Sequence, residues 1–388
     1  MKRMLLLLLL LLAGCKQTPV PVVEQASPLM SCYLKLGNPP DPTRPGWIAE
    51  RSHYDMHLYS GNAWSSPRMQ AAADTLRQRN PRVLLGEYAS TMAIGQWVIQ
   101  AVARGDTGWS RQYYDATMPY LARTNGLDPV TGLPDTASIF LRNYCVNLLL
   151  PGAVDAVAGF HASHSVGLDW LMLDFMTIPM PDFRAGQGPR YVSEQAGDMD
   201  LDQDGVAHAE DMDERTALRS AFIQLLDKIH ALAPNLKLIP NGQLAMLDDE
   251  VARHTDGVYV EGFPQWFFGP GFNFRNAVFQ PDYVPSMHSL TRPRYRNGRG
   301  LVLIEDRYHQ MQHGFIAAGF EGAVEVRRND DAMDTFIPDG TRDIRWLGMP
   351  TGPAVVVGDT LRRPFENGVL RLVSTSVNGF SFRVEVQP

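Results

Sequence analysis

Apolar, β-rich runs recur along this chain with helix-patterned segments between them, and that alternation limits the available folds more than any other feature. The runs are Tyr54–Tyr59, Arg82–Tyr88, Tyr144–Leu149, Leu168–Phe175, Leu236–Pro240, Gly257–Phe263, Leu301–Asp306 and Gly322–Val326. Between them, "SPRMQAAADTLRQRN" offers Ser66 as an N-cap and Pro67 at the first helical position. "PGAVDAVAGFHASHS" and "ERTALRSAFIQLLDKIHALAP" carry apolar stripes at helical spacing. Strands alternating with helices indicate parallel βα units, and runs apolar on both faces suit a sheet covered by helices. The count of eight predicts a (β/α)8 TIM barrel. A length of 388 residues fits such a barrel with insertions. An open doubly wound sheet uses the same alphabet, but no glycine-rich dinucleotide fingerprint follows the first strand.

The strand ends carry polar groups. The first run holds Asp55 and His57, the second ends at Glu87 and Tyr88, and the fourth ends at Asp174. Asn241 closes the fifth, Glu261 lies in the sixth, and Glu305, Asp306 and Arg307 close the seventh. In an α/β barrel the C-terminal ends of the strands build the active-site face. Such a set fits a cleft for a hydroxyl-rich ligand. The competing reading makes some of these residues helix caps or ion pairs, and Glu305, Asp306 and Arg307 can neutralise one another. Asp174 and Glu261 have no basic residue nearby in sequence. Trp266, in "EGFPQWFFGPGFNF", is the expected stacking partner for a sugar ring. His53 and His57 flank Asp55, but no other histidine cluster supports a catalytic metal. G-x-S-x-G, H-E-x-x-H, Walker and C-x-x-C motifs are absent, so no organic cofactor is expected.

An insertion has chemistry of its own. In "DLDQDGVAHAED", Asp200, Asp202 and Asp204 fall at loop positions 1, 3 and 5, with Gly205 at 6. Val206 offers a carbonyl at 7 and Asp211 falls at 12, the pattern of a calcium loop. Asp at the last position resembles dockerin-type loops. A structural Ca²⁺ is expected there, against the simpler reading of a solvated acidic loop.

At the N-terminus, Lys2 and Arg3 precede the apolar run Met4–Leu12. As a helix that run spans roughly 13 Å, against ~30 Å of hydrocarbon in a bilayer. It reads as a signal peptide over residues 1–14. Leu12-Ala13-Gly14-Cys15 resembles the bacterial lipobox, which makes Cys15 the expected lipidation site. Lys16 in place of Asp favours the outer membrane. Removal of Lys2 and Arg3 takes the net charge from −7 to −9, and the chain has no basic block, so no nucleic-acid partner is expected. Residues 15–45 read as a tether, 50–350 as the barrel and 351–388 as a β-hairpin extension, with turns at Asn367-Gly368 and Asn378-Gly379. Cys32 and Cys145 are either a disulfide or two buried thiols.

The segments "GLDWLMLDF", "LIPNGQ", "DGVYVEGFP" and "WLGMPTGP…RRPFENGVLRLV" resemble glycoside-hydrolase-like barrels. The resemblance is to the hypothetical glycosyl hydrolase family 15 and the related endo-α-1,4-polygalactosaminidases, over about residues 50–375. It implies a catalytic pair at Asp174 and Glu261. Trp170 and Phe175 depart from the family pattern, which often has Gly and Asn at those positions. The expected protein is a monomeric, lipid-tethered glycoside hydrolase acting on a polysaccharide. Asp55, Glu87, Tyr88, Asn241, Trp266 and Arg307 would bind the substrate. The alternative is a non-catalytic barrel lipoprotein that binds or helps export glycan.

Overall fold

The computed structural model describes residues 30–35, 41–127 without 62, 134–139, 143–176, 199–241 without 207, 209 and 210, 245, 248–263, 294–306 without 299, 323–328, 347–374 without 359, and 382–387. Its centre is an eight-stranded parallel sheet. The strands are β1 (Met30–Lys35), β2 (Met56–Ser60), β3 (Leu84–Ser90), β4 (Trp170–Asp174), β5 (Lys237–Pro240), β6 (Gly257–Phe263), β7 (Leu301–Asp306) and β8 (Ala323–Arg328). Their order in the sheet is β5-β4-β3-β2-β1-β8-β7-β6, so strands adjacent in sequence lie side by side and β8 pairs with β1. β5 and β6 form the two ends of that order. They meet through one parallel bridge, Asn241 to Tyr259, and through the Asp256 N–H donating to Leu238 O at 2.8 Å. At this seam a single bridge stands in place of a ladder. Three small antiparallel sheets lie outside the parallel one, so the molecule as a whole is mixed.

Two differences from the sequence reading concern which segments form strands. Met30–Lys35, assigned to the tether, pairs with both β2 and β8. Its alternate residues Cys32 and Leu34 point into one core cluster and Tyr33 into another, and all are buried. Tyr144–Leu149, expected as the third strand, contributes only to Asn143–Cys145, the middle of a small antiparallel sheet with Ala93–Ile94 and Ser138–Ile139. The count of eight therefore survives through one omission and one false inclusion.

Period-two alternation sorts the strand residues onto two faces. One face gathers Cys32, Leu34, Met56, Leu58, Trp170, Met172, Ile239, Tyr259 and Leu303 into a single cluster, with Leu84 and Tyr88 against it. The other face meets the helices. Pro67–Arg79 buries Met69, Ala72, Ala73 and Leu76, the i, i+3, i+4, i+7 stripe of an amphipathic helix. Pro67 opens that helix as expected, although Ser66 makes no side-chain cap bond. Met212–Leu232 buries Leu218, Phe222, Leu225, Leu226 and Ile229, and is capped by Asp211, which accepts from the Asp213 and Glu214 N–H groups at 2.8 and 2.9 Å. Among the described residues no helix is long and apolar enough to cross a membrane.

After the parallel strands, Val355–Val357, Thr360–Phe365, Gly368–Ser374 and Phe382–Gln387 form a four-stranded antiparallel meander. Phe365 pairs with Gly368, so the first turn is made by Glu366 and Asn367, one residue earlier than expected; the turn at Asn378-Gly379 lies outside the described residues. Ala354 and Leu361 join the main core cluster, which packs this extension onto the rest of the fold. Cys32 and Cys145 are both free and buried, in separate clusters, which is the two-thiol arrangement and not the disulfide.

The neighbouring strand makes room for Trp170. It is fully buried and pairs in register with Gly86 on β3. A Cβ on Gly86 would collide with the Trp170 indole, so the glycine makes room for the tryptophan. Gly86→Ala should therefore cost about 1–3 kcal/mol through overpacking. Urea unfolding of the purified domain measures it, and an unchanged midpoint would show that the two residues are not packed in this way.

Candidate active site

β3, β4 and β5 bring their C-terminal ends together around Asp174. The half-buried carboxylate accepts from the Tyr88 hydroxyl on β3 at Oδ2. Its Oδ1 accepts from the Asn241 amide, just beyond β5, at 2.9 Å, and from the Phe175 N–H at 2.9 Å. Phe175 has φ 65°, a conformation uncommon for a bulky residue. Backbone outliers of this kind cluster at functional sites. The main chain is held as well: the Thr91 N–H donates to Asp174 O at 3.2 Å, and the Met176 N–H to Asn241 O at 3.2 Å. Tyr88 and Asn241, expected to bind substrate, thus touch Asp174 directly and orient it.

The other expected residues divide by position. Glu261 belongs to β6, and its side chain lies outside the described residues. The β6–β7 ladder pairs Val260 with Ile304 and then Phe263 with Asp306, a bulge that sets both Glu261 and Gly262 against Glu305. Trp266, Arg307 and Cys15 lie outside the described residues. Asp55 precedes β2, at the N-terminal end of the sheet, and so is at the opposite mouth from Asp174. His57 is buried in a cage of Tyr33, Tyr54 and Tyr59, and burial pushes its pKa down to about 3; it is a core residue.

Glu305, next to last in β7, is fully buried. Leu303, two residues earlier, belongs to the inner cluster, while the intervening Ile304 belongs to the outer one. Alternation therefore places Glu305 on the inner face.

The acidic loop gathers its carboxylates. Asp200 accepts from the Gln203 N–H at 2.6 Å and the Gly205 N–H at 3.0 Å, and Asp204 accepts from the Val206 N–H at 2.7 Å. One oxygen each from Asp200, Asp202 and Glu214 lie within 4.8 Å of one another, and so do one each from Asp202, Asp204 and Asp211. The Asp202 carboxyl is pushed up, first by lost hydration and then by the charges of Asp204, Glu214 and Asp211. Glu214 was not anticipated, because it falls beyond the twelve-residue pattern. Its signal is its place three residues after the capping Asp211, where a Glu turns back towards the helix start. Here it reaches the Leu201 N–H at 2.5 Å, the Asp202 N–H at 3.1 Å, and His208. Oxygen donors in this number suit a hard cation such as Ca²⁺.

No protein-family model matches the chain, and no curated protein does. Solved structures similar to it include a cyclic α-maltosyl-(1→6)-maltose hydrolase from Arthrobacter globiformis, at 9% identity and TM-score 0.47, covering 89% of this chain and 91% of that one. An α-amylase from Malbranchea cinnamomea stands at 11% identity and TM-score 0.46, covering 90% and 86%. An α-galactosidase from Lactobacillus brevis stands at 9% and 0.46, with 90% of this chain aligned to 46% of that one. With TM-scores below 0.5, none of these likenesses decides the fold or the function.

Glu87 was expected in the substrate cleft and is elsewhere. Its neighbours in β3, Leu85 and Ala89, belong to the outer clusters, and Glu87 shares their side. It is 1% exposed, beside Gly61 and Trp109, and among the described residues neither carboxyl oxygen makes a hydrogen bond of ordinary geometry, the Trp109 indole being the donor nearest to doing so. Burial raises its pKa well above 4.5, with the Trp109 indole pulling the other way. The folded state therefore keeps a proton that the unfolded chain releases. Stability must fall as pH rises from the ordinary carboxyl range towards the raised value. Glu87→Gln should remove this slope and raise the melting temperature above about pH 7, with little effect near pH 4. Parallel melting curves for the two proteins across that range would contradict the burial of an unpaired carboxyl.

Proposed function

We propose that this chain is a glycoside hydrolase on a (β/α)8 barrel, with its active site at the C-terminal ends of β3–β7 and a polysaccharide as substrate. The carrying observation is the setting of Asp174: a half-buried carboxylate at a strand end, met by donors from both flanking strands and from its own backbone. That is the arrangement needed to hold a charged, aimed carboxylate at a rim where a ligand has access.

The strand registers support the barrel. Tyr88 connects through Met172 to Ile239, two residues before Asn241, and Asn241 connects through Tyr259 to Leu303, two before Glu305. Glu305 connects through Val326 to Cys32, two before Leu34, and Leu34 connects through Leu58 to Gly86, two before Tyr88. Four crossings that each advance two residues give a stagger of about eight, the shear of a closed eight-stranded parallel barrel. By the same steps Asp174 on β4 leads to Glu261 on β6.

Glycoside hydrolysis needs one ionised carboxylate as nucleophile or base and one protonated carboxyl to assist the leaving oxygen. The donors around Asp174 stabilise negative charge, which assigns it the first role. Glu261 takes the second. Tyr88 and Asn241 position Asp174, and Trp266 and Arg307 remain the proposed sugar contacts. The domain is exported and held to the outer membrane by lipid on Cys15, with residues 16–29 as the tether, and works as a monomer. The acidic loop binds a structural Ca²⁺ through Asp200, Asp202, Asp204, Asp211 and Glu214, with Val206 offering its carbonyl.

Screening against amino-sugar and neutral polysaccharides tests the activity. Asp174→Asn and Glu261→Gln should each reduce turnover by about 10²–10⁴ while leaving the fold intact. Hydrolysis at the wild-type rate by both variants would make these carboxylates structural. For the loop, chelation should lower the melting temperature and Ca²⁺ restore it, by an amount set by RT ln(1 + [L]/Kd), about 2.7 kcal/mol at a hundredfold excess. Asp204→Ala should abolish that difference, and an equal response in both proteins would refute the site.

A further inference from the structure

Two tryptophans in the excursion between β3 and β4 form a stack that core packing does not account for. Trp97 is the second residue of the helix Gln96–Ala103, and Trp109 is the first of the helix Trp109–Thr117. Their rings lie 5.7 Å apart, inclined at 12°. Val98 is fully buried in that first turn, whereas Trp97 beside it is 50% exposed. Among the described residues Trp97 is the only large aromatic left so exposed; the others of its kind are Val, Leu and Met. An indole in water at a helix start adds little to a core.

The ring is nonetheless held in place. Trp109 backs one face of it. Gly95 lies against its pyrrole edge, where any Cβ would collide with Cδ1 and Nε1. The antiparallel ladder that pairs Ala93 with Cys145 and Ile94 with Tyr144 brings Asn143 to the same place. The Asn143 Oδ1 is 3.5 Å from the position a Gly95 Cβ would take. A flat apolar surface, backed on one face only, thus has a partly exposed amide at its edge. A pyranose ring carries the matching pattern, with C–H groups on its faces and hydroxyls around its rim. An aromatic face accommodates the first, and an amide donates to or accepts from the second.

Position ties the stack to the cleft. The Trp109 ring meets Gly61, the residue after β2, and so stands at the C-terminal end of the sheet, as Asp174 does. It lies beside Glu87 on the outer side of β3, so the stack flanks the cleft and does not line it. Thr91 donates through its N–H and its hydroxyl to Asp174 O, and Trp97 follows six residues later. Six residues span at most about 20 Å, within reach of a chain of several sugars.

We infer, resting on the glycosidase reading, that Trp97 and Asn143 form a remote subsite for one pyranose ring of a polysaccharide whose chain also occupies the Asp174 cleft. Trp97 packs against the ring face and Asn143 bonds a hydroxyl. Gly95 and Trp109 fix the indole beforehand, so little rotamer freedom is lost on binding. The subsite favours polymers, because an oligosaccharide that fills only the cleft gains nothing from it.

Affinity electrophoresis of the purified protein through gels containing each polysaccharide of the panel tests this, in an Asp174→Asn background that should bind without turnover. Trp97→Ala should weaken binding of the retarding polymer about five- to tenfold, and Trp97→Tyr should restore most of it. Leu232→Ala removes a comparably exposed apolar residue from the helix end that leads into β5, at the opposite mouth, and should bind as its parent does. In the active protein, Trp97→Ala should raise KM for the polymer by the same factor. It should leave kcat, and both constants for the shortest hydrolysed oligosaccharide, unchanged. A Trp97→Ala protein retarded like its parent, or a parent retarded by no polysaccharide, overturns the inference; hydrolysis of the panel by that same protein would leave the glycosidase reading intact. Retardation that depends on Trp97 without hydrolysis of any polysaccharide overturns the glycosidase reading and leaves the sugar platform standing.

Discussion

The packing of Trp170 against Gly86 sets the geometry on which the site depends. A side chain of this size on the inner face of the parallel sheet fits only where the facing strand has no Cβ, and β3 supplies that gap directly across the ladder. A one-residue slip would turn every inward side chain of β4 outward. Once Gly86 is opposite Trp170, Tyr88 is opposite Met172, and Asp174 emerges at the rim one step above the Tyr88 hydroxyl. The position of the candidate nucleophile is therefore fixed by an apolar contact four residues below it.

The same alternation gives adjacent residues in β3 opposite fates. Tyr88 turns inward and holds Asp174; Glu87 turns outward, into a layer between strands and helices where, among the described residues, no donor of ordinary geometry meets it. One carboxylate is surrounded by donors and suited to charge, and the other is held neutral by burial. The chemical difference between Asp174 and Glu87 arises from the face each occupies, since both lie near the end of an apolar strand.

Several elements were legible because local pattern decides them. The apolar runs at β2–β8 needed no long-range information, and neither did the stripe in Pro67–Arg79 or the alternate carboxylates after Asp200. Met30–Lys35 was missed because it follows a Pro-rich stretch and its sequence is only moderately apolar; pairing with β2 and β8 on both sides makes it a strand. Tyr144–Leu149 had the right composition, but the long excursion between β3 and β4 uses it in an antiparallel sheet instead. Asp55 was misplaced because composition does not say which end of a strand a residue occupies. Glu214 was missed because its contacts are with a segment thirteen residues away, across the loop that it closes.

The most direct test is the separation of the Asp174 and Glu261 carboxyl groups in a crystal structure of the folded domain. The account predicts both groups open to one cleft at ~5–9.5 Å, the lower end for retention and the upper for inversion of the anomeric centre. Carboxyls on opposite faces of the β-sheet, or too far apart to flank a single glycosidic bond, would contradict it.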